Sequence, residues 1–455
     1  MDRLKTGNSE LDAILGGGFP TNGIHILMGD PGTGKTILAE QLCFANTSPG
    51  RPILYLATFS EPMQKLVGFL QEFRFAAPEK LGTEVIYEYV GEHVLNEPHR
   101  IPERIQELLT QHRPRIVVID SFKALADLMH DKTAWRQTLD AIGGMLSAYD
   151  TTTFWVGEYS SPMLSALPEF AVADGIVELV RTQRGTRDER FLRVLKLRGS
   201  ASLAGDHPFL LGRDGLSAFR RFMTPASPPD YAPTLARVRS GIAHLDDMVA
   251  TGWLRGSATL VAGPSGAGKT SIGLNFLRAG VEDGEPGLLV SFQENPTQLA
   301  RMMTSLSWKP LELFRTGAID HLYVSPVEIQ VDALAHRMVE RIEQGGIQRV
   351  VIDAVSDLEK SAHDVLRYRD FLYSLTQMLA ARNITSMLLV ETAGLTPGHG
   401  MTGYEVSYMS DNILLLSLDL AEDLTRTIRI IKSLGSRHDG RLHELKISER
   451  GVEVA

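Results

Sequence analysis

Two eight-residue stretches carry the residue types needed to hold a triphosphate. The first runs Gly29, Asp30, Pro31, Gly32, Thr33, Gly34, Lys35, Thr36; the second runs Gly263, Pro264, Ser265, Gly266, Ala267, Gly268, Lys269, Thr270. Both fit G-x-x-x-x-G-K-[ST] without a mismatch. Glycines let successive backbone N–H groups turn inward onto phosphate oxygens. Lys35 and Lys269 set a point charge on the β- and γ-phosphates, and the hydroxyls of Thr36 and Thr270 are ligands for Mg²⁺. A helix starting at each lysine adds the positive end of its dipole. ATP with Mg²⁺ is the expected ligand pair.

Further carboxylates stand where such a site needs them. Asp120 ends the apolar run RIVVID and Asp353 ends RVVID. A strand-end carboxylate can hold Mg²⁺, usually through water; its plainer use is to cap the next helix. Glu61 in TFSEP and Glu294 in SFQEN follow the strand after each loop. There they can polarise an attacking water, or merely favour a helix N-terminus. Glu158 and Glu391 close another strand in each half and are alternative water-positioning groups.

The elements that must position these groups repeat along the whole chain. Lys35 and Lys269 are 234 residues apart, as are Gly7 and Gly241, Leu11 and Leu245, and Asp12 and Asp246. The spacing is 233 from Asp120 to Asp353 and drifts to 237 from Asp174 to Asp411. A repeat of this length is a duplicated domain. The break falls in MTPASPPDYAPTL, a Pro-rich linker over 223–235, which leaves domains over 1–222 and 236–455. IHILM, PILYLAT, RIVVID, TTFWVGE, GIVELV and RFLRVLKLR read as strands of the first half. SATLVA, PGLLVSF, RVVID, TSMLLVE, NILLLSL and RTIRIIK repeat them. Short apolar runs rich in Val, Ile and Leu suit buried parallel strands. Helical stretches such as PERIQELLTQH and DALAHRMVERIEQ lie between them. The expected fold is α/β: two tandem P-loop domains, each a largely parallel twisted sheet flanked by helices, with ligand chemistry at the carboxyl ends of the strands.

Composition sets the class. Of 455 residues, 43% are hydrophobic and 22% charged, as in a globular protein, and no run of about 18 apolar residues marks a membrane span. The start, MDRLKTGNSELD, lacks the apolar core of a signal peptide, and the single cysteine, Cys43, excludes an intramolecular disulfide. A reducing cytoplasm is the expected compartment. The net charge of −9 gives no overall attraction to nucleic acid or anionic lipid.

These residues resemble the KaiC type of double-domain ATPase within the RecA superfamily. The likeness runs from about Leu4 to Val452. It rests on TGNSELDAILGGGFPTNG and SGIAHLDDMVATGWLRG, both loops, the TFSEP and SFQEN turns, both strand-end aspartates, and the late segments VLKLRGS and IIKSLGSRHDG. The resemblance implies RecA-like domains and a homohexamer of two stacked rings, with ATP at subunit interfaces. It also implies that a neighbouring subunit supplies Lys196 and Arg198 to the γ-phosphate in the first half, and Lys432 in the second. Cations placed where charge develops on a transferring phosphoryl group stabilise the transfer.

Departures from the family pattern separate the halves. The family's paired glutamates are reduced to Glu61 and Glu294, with Ser60 and Gln293 in front of them. The arginine of its K-x-R is Arg198 in the first half and Leu434 in the second; the serine after the strand-end aspartate is Ser121 and then Ala354. Hydrolysis is therefore expected mainly in the first half, with ATP in the second serving more as a structural ligand. Clock members of the family phosphorylate themselves in the segment that reads GMTGYEVSY here. Thr402 and Ser407 remain as possible phosphorylation sites, and the pair's threonine is Tyr408. The long tail of clock members is expected to be missing after ERGVEVA. Three functions stay in view: a slow ring-forming ATPase that couples nucleotide state to an unidentified protein partner, a Ser/Thr autokinase, and a DNA-dependent recombinase or helicase relative. The last needs basic loops, and YSSPMLSALPEF has none, so nucleic acid is not the expected partner.

Overall fold

The computed structural model describes residues 2–58, 63–90, 100–129, 131–184, 187–224, 234–304, 307, 310–362, 365–392, 406–419 and 424–455. The chain divides into two compact units, Met1–Arg221 and Phe222–Ala455.

In the first unit the described strands of the main sheet are β1 (Ile24–Met28), β2 (Ile53–Ala57), β3 (Val85–Tyr89), β4 (Ile116–Asp120), β5 (Thr152–Gly157), β6 (Gly175–Arg184), β7 (Arg187–Leu197), β8 (His207–Gly212) and β9 (Gly215–Ala218). Their order across the sheet is β3-β2-β4-β5-β1-β6-β7-β8-β9. From β3 to β6 every pairing is parallel; from β6 to β9 every pairing is antiparallel. The parallel strands are apolar on both faces because helices cover both. Helix α1 (Lys35–Ala45) packs Leu38 and Leu42 onto one face, against Ile53, Tyr55 and Val118. Helices α2 (Ile101–His112) and α4 (Lys132–Ala148) cover the other face, where Leu108, Leu139 and Ile142 meet Leu54, Leu56 and Trp155. The short helix α3 (Phe122–Leu128) follows β4 directly.

The second unit repeats this plan. Its described strands are β10 (Ala258–Gly263), β11 (Gly287–Ser291), β12 (Ile319–Tyr323), β13 (Arg349–Asp353), β14 (Thr385–Glu391), β15 (Asn412–Asp419), β16 (Thr425–Ser433), β17 (His443–Ser448) and β18 (Gly451–Val454). The order β12-β11-β13-β14-β10-β15-β16-β17-β18 matches the first sheet strand for strand. Helix α5 (Lys269–Glu282) covers one face. Helices α6 (Val331–Gly345), α7 (Val355–Ala362) and α8 (Val365–Ala381) cover the other. Both sheets carry a register shift at the same place, between Ile176 and Val177 on β6 and between Ile413 and Leu414 on β15. Among the described residues no helix is long and apolar enough to cross a membrane.

Two features differ from the reading of the sequence. The edge strands β3 and β12 and the closing hairpins β8–β9 and β17–β18 add to the strands expected there. They are short, and β3, β8, β12 and β17 are partly exposed, so they lack the unbroken apolar signature of the central strands. Phe222, the last residue of the expected first domain, and Thr224, in the expected linker, make contacts within the second unit. Asp332 accepts a hydrogen bond from the Phe222 amide at 2.7 Å, and the Thr224 and Ser374 hydroxyls lie 3.0 Å apart. Most of that linker, 225–233, lies outside the described residues.

Candidate functional site

Each glycine-rich loop leaves the carboxyl end of the strand at the centre of its unit's sheet. In the first, β1 ends at Met28 and α1 begins at Lys35. Gly34 sits at the helix N-cap with φ of 102°, and Gly268 does the same before α5 with φ of 100°. Neither cap has a side chain bonded to the helix amides, so those N–H groups point into the loop. The space is made for glycine. A Cβ on Gly29 would stand 2.1 Å from the Leu179 carbonyl oxygen, and one on Gly268 would stand 2.5 Å from Ile447 Cδ1.

The lysines lie across their own loops. Lys35 Nζ donates to the carbonyls of Gly29 and Asp30, both at 2.9 Å. Lys269 Nζ donates to those of Gly263 and Pro264 at 2.9 and 2.8 Å. Burial pushes both ammonium groups down. In Lys35 the carboxylates of Glu158, Asp120 and Asp30 oppose the shift; in Lys269 those of Glu391 and Asp353 do. Glu158 and Glu391 therefore face the lysine of their own unit. In the first unit Glu158 lines a cleft of about 300 Å³ together with Gly32, Lys35, Thr36, Asp120 and Leu211.

The threonine and the strand-end aspartate meet in both units. Thr36 Oγ1 donates to Asp120 Oδ2 at 2.8 Å, and Thr270 Oγ1 donates to Asp353 Oδ2 at 2.6 Å. A hydroxyl that gives its proton to a carboxylate keeps its lone pairs for a cation. This donor set fits Mg²⁺, which takes one or two protein oxygens and completes its shell from water and substrate phosphate. Among the described residues there is no cluster of three or more His, Cys, Asp or Glu that would hold a metal by itself. Burial raises both carboxyls. In Asp120 the hydrogen bonds from Tyr55 and Thr36 and the charge of Lys35 oppose it. Asp353 is pushed up to about 6: burial dominates, and the carboxylates of Glu294 and Asp357 add to it against the Thr270 hydrogen bond and Lys269.

The late-strand cations are set back from the loop. β7 runs antiparallel to β6, and β6 is parallel to β1. Arg198 thus stands beside the start of β1 and Lys196 is level with its middle residue, Ile26, whereas the loop leaves its end. Arg198 Nη1 bonds Asp174 Oδ1 at 3.3 Å, and Asp174 Oδ2 accepts from the Ile24 amide, the first residue of β1. Five strand residues separate that point from the loop, roughly 15 Å at about 3.3 Å per residue. Burial and the neighbouring Arg198 push the Lys196 ammonium down, with Asp174 opposing. The second unit keeps the scaffold, with Asp411 Oδ2 accepting from the Ala258 amide at 2.8 Å and Lys432 Nζ donating to the Ser410 carbonyl at 2.6 Å. Leu434 occupies the place of Arg198, its amide bonded to the Asp411 carbonyl as that of Arg198 is to Asp174, both at 2.9 Å.

Glu294 is half-buried, and its carbonyl accepts from Ser291 Oγ at 3.1 Å. Gln293 Nε2 donates to Asp357 Oδ2 at 2.9 Å. Glu61, Thr402 and the side chain of Ser407 lie outside the described residues. One contact went unseen in the sequence: Tyr55, in mid-strand β2, donates from its hydroxyl to Asp120 Oδ2 at 2.8 Å. A tyrosine inside an otherwise apolar buried strand was the available signal, since a buried phenol needs a partner.

The geometry agrees with what known proteins share with this chain. A family model described as the ATPase KaiC matches residues 4–221 and again 238–455. The circadian clock oscillator protein KaiC of Picosynechococcus sp. is 28% identical, over 100% of this chain and 90% of the relative. That of Acaryochloris marina is 27% identical over 100% of this chain and 88% of the relative, and KaiC 1 of Synechocystis sp. is 26% identical over 100% and 89%. With both halves matched nearly end to end, this chain belongs to the KaiC family of ATPases.

Proposed function

We propose that this protein is a ring-forming, Mg²⁺-dependent ATPase whose first sites hydrolyse ATP slowly between subunits, the nucleotide state governing the binding of a protein partner. The roles follow from the chain's own groups. Loop amides and Lys35 hold the phosphates, and Thr36 with Asp120 holds Mg²⁺, which would draw charge off the phosphate oxygens. Glu61 or Glu158 orients the attacking water. Lys196 and Arg198 serve the γ-phosphate of the adjacent subunit. In the second unit Lys269, Thr270 and Asp353 bind ATP with Glu294 beside them, and Lys432 serves the adjacent subunit, mainly to stabilise the ring.

One observation carries this reading. Arg198 stands at the opposite sheet end from its own loop, paired with Asp174, and Lys196 lies two residues before it on the same strand. This separation supports a role for Arg198 toward an anion from outside the unit. The autokinase alternative needs a base where this chain has Gln293. An amide has no basic oxygen, and this one is engaged by Asp357.

The test is mixing. Arg198→Ala should lower turnover by about 10³-fold while largely sparing ATP binding. Blended with Lys35→Ala subunits, it should recover part of the activity, because one of the two mixed interface orders pairs an intact loop with an intact arginine. Loss without recovery, despite verified subunit exchange, would refute the trans role. A monomer in light scattering with and without ATP·Mg²⁺ would refute the ring.

A further inference from the structure

We propose that Tyr55 is a positioning residue of the first site: its hydroxyl fixes the Asp120 carboxylate so that the Thr36–Asp120 pair is ready for Mg²⁺ before nucleotide arrives. The inference rests on the reading of Asp120 as the magnesium group. Tyr55 is 4% exposed, lies on the α1 face of the sheet among Leu38, Leu42 and Val118, and stacks on Tyr87 with centroids 4.8 Å apart. Its ring therefore has one orientation, and that orientation aims the hydroxyl at Asp120 Oδ2. The Thr36 hydroxyl reaches the same oxygen. Among the described residues both hydrogen bonds to the carboxylate fall on Oδ2, which leaves Oδ1 to accept from a water of the cation. Two donors converging on one oxygen fix the rotation of the carboxylate, which a single donor does not. Outer partners of this kind orient metal-binding groups and typically govern about 10- to 100-fold of metal affinity.

The second unit supplies the contrast. The residue paired at the same register is Leu289, and the residue beside it in the edge strand is His321, where the first unit has Tyr87. His321 lies 2.8 Å from the Ser291 hydroxyl. Thr270 is there the described donor to Asp353. Positioning from beneath the aspartate is a property of the first site.

Tyr55→Phe keeps the ring and removes the hydroxyl. The readout is the binding of a fluorescent ATP analogue to the full chain across a Mg²⁺ titration, with binding in EDTA measured separately. Tyr55→Phe should raise the Mg²⁺ midpoint about tenfold and leave affinity in EDTA unchanged. Tyr87→Phe removes the other hydroxyl of the stack without touching Asp120 and should move neither quantity. If Tyr55→Phe does not fold, Tyr55→Leu, which copies the residue of the second unit, carries the same expectation. An unchanged midpoint, or an equal shift in Tyr87→Phe, overturns the proposal. If Asp120→Asn leaves the midpoint untouched, it is the magnesium role of Asp120 that fails.

Discussion

Asp120 and Asp353 end equivalent strands and bond equivalent threonines, yet what surrounds them differs. Asp120 has a phenol beneath it, a serine after it and an arginine on the matching late strand; Asp353 has Leu289, Ala354 and Leu434 in those places. Around Asp353 the polar neighbours are instead Glu294 and Asp357, carboxylates that make its ionisation harder. The same fold therefore carries one aspartate with two hydroxyl donors and Lys35 set against Glu158, and one with a single hydroxyl donor and Lys269 set against two carboxylates. Retaining a loop keeps nucleotide binding; a fast phosphoryl transfer needs the second layer as well.

The sharpest way to break this comparison is to remove each loop lysine. Lys35→Ala should lower ATP turnover on the order of 10²–10³-fold, as losing a group that stabilises developing charge does. Lys269→Ala should act on assembly, shifting the light-scattering profile toward smaller species at a given ATP concentration. Turnover per assembled ring should change far less. If Lys269→Ala abolishes turnover in an intact ring, the division of labour is reversed.

A second contrast lies deeper. At the first position of the strand that ends in the aspartate, the first unit has Ile116 and the second has Arg349. Arg349 is 0% exposed, bonds Glu285 at 2.7 Å and Asp283 at 3.1 Å, and donates to the carbonyls of Arg239 and Phe276. Arg349→Ile installs the first unit's residue but leaves Glu285 and Asp283 short of a charge. It should cost about 3 kcal/mol, read as a lower denaturation midpoint of the second unit. Ile116→Val, at the matching place, should cost about 1 kcal/mol. A neutral Arg349→Ile would show the ionic cluster to be no better than a packed isoleucine.

These features mark where the sequence stopped being legible. The loops could be read directly, because their chemistry lies in consecutive residues. The central strands could be read from unbroken apolar runs. Nothing in the sequence singled out Arg349, because its partners are 64 and 66 residues away. Tyr55 and Asp120 are 65 residues apart, and only the parallel register of β2 and β4 brings the hydroxyl beneath the carboxylate. The position of Lys196 and Arg198 relative to their own loop depended on strand direction, which apolar patterning does not encode. Their number and type came from the family resemblance; their separation from the loop came from the sheet.

Ionisation offers a subtler test. Burial pushes the Asp353 carboxyl up to about 6, so as pH falls through that range it takes a proton that competes with Mg²⁺. In Lys35→Ala protein, where the second loop is the intact one, Mg²⁺-dependent ATP retention should be full above pH 7. It should weaken as pH falls, by about tenfold at one unit below the pKa. Asp353→Asn should be weaker throughout and flat over the same range. A wild-type profile as flat as that of Asp353→Asn would remove Asp353 from the cation's surroundings.

The smallest expected effect concerns the residue after each aspartate. Ser121 is the N-cap of α3, and its Oγ accepts from the Ala124 amide at 3.3 Å; its own amide donates to Thr58 Oγ1 at 2.9 Å. Ala354 has no side-chain oxygen to offer α7. In the first unit this serine caps the helix and also lines the cleft beside Lys35, Thr36 and Asp120. Ser121→Ala should cost about 1 kcal/mol of stability, seen as a shifted denaturation midpoint, with turnover of the folded ring nearly unchanged. Ala354→Ser should return a fraction of that to the second unit. Should Ser121→Ala instead abolish turnover at undiminished stability, the hydroxyl acts on the nucleotide or its water. The absence of serine from the second site would then be a chemical difference between the sites, beyond a missing cap.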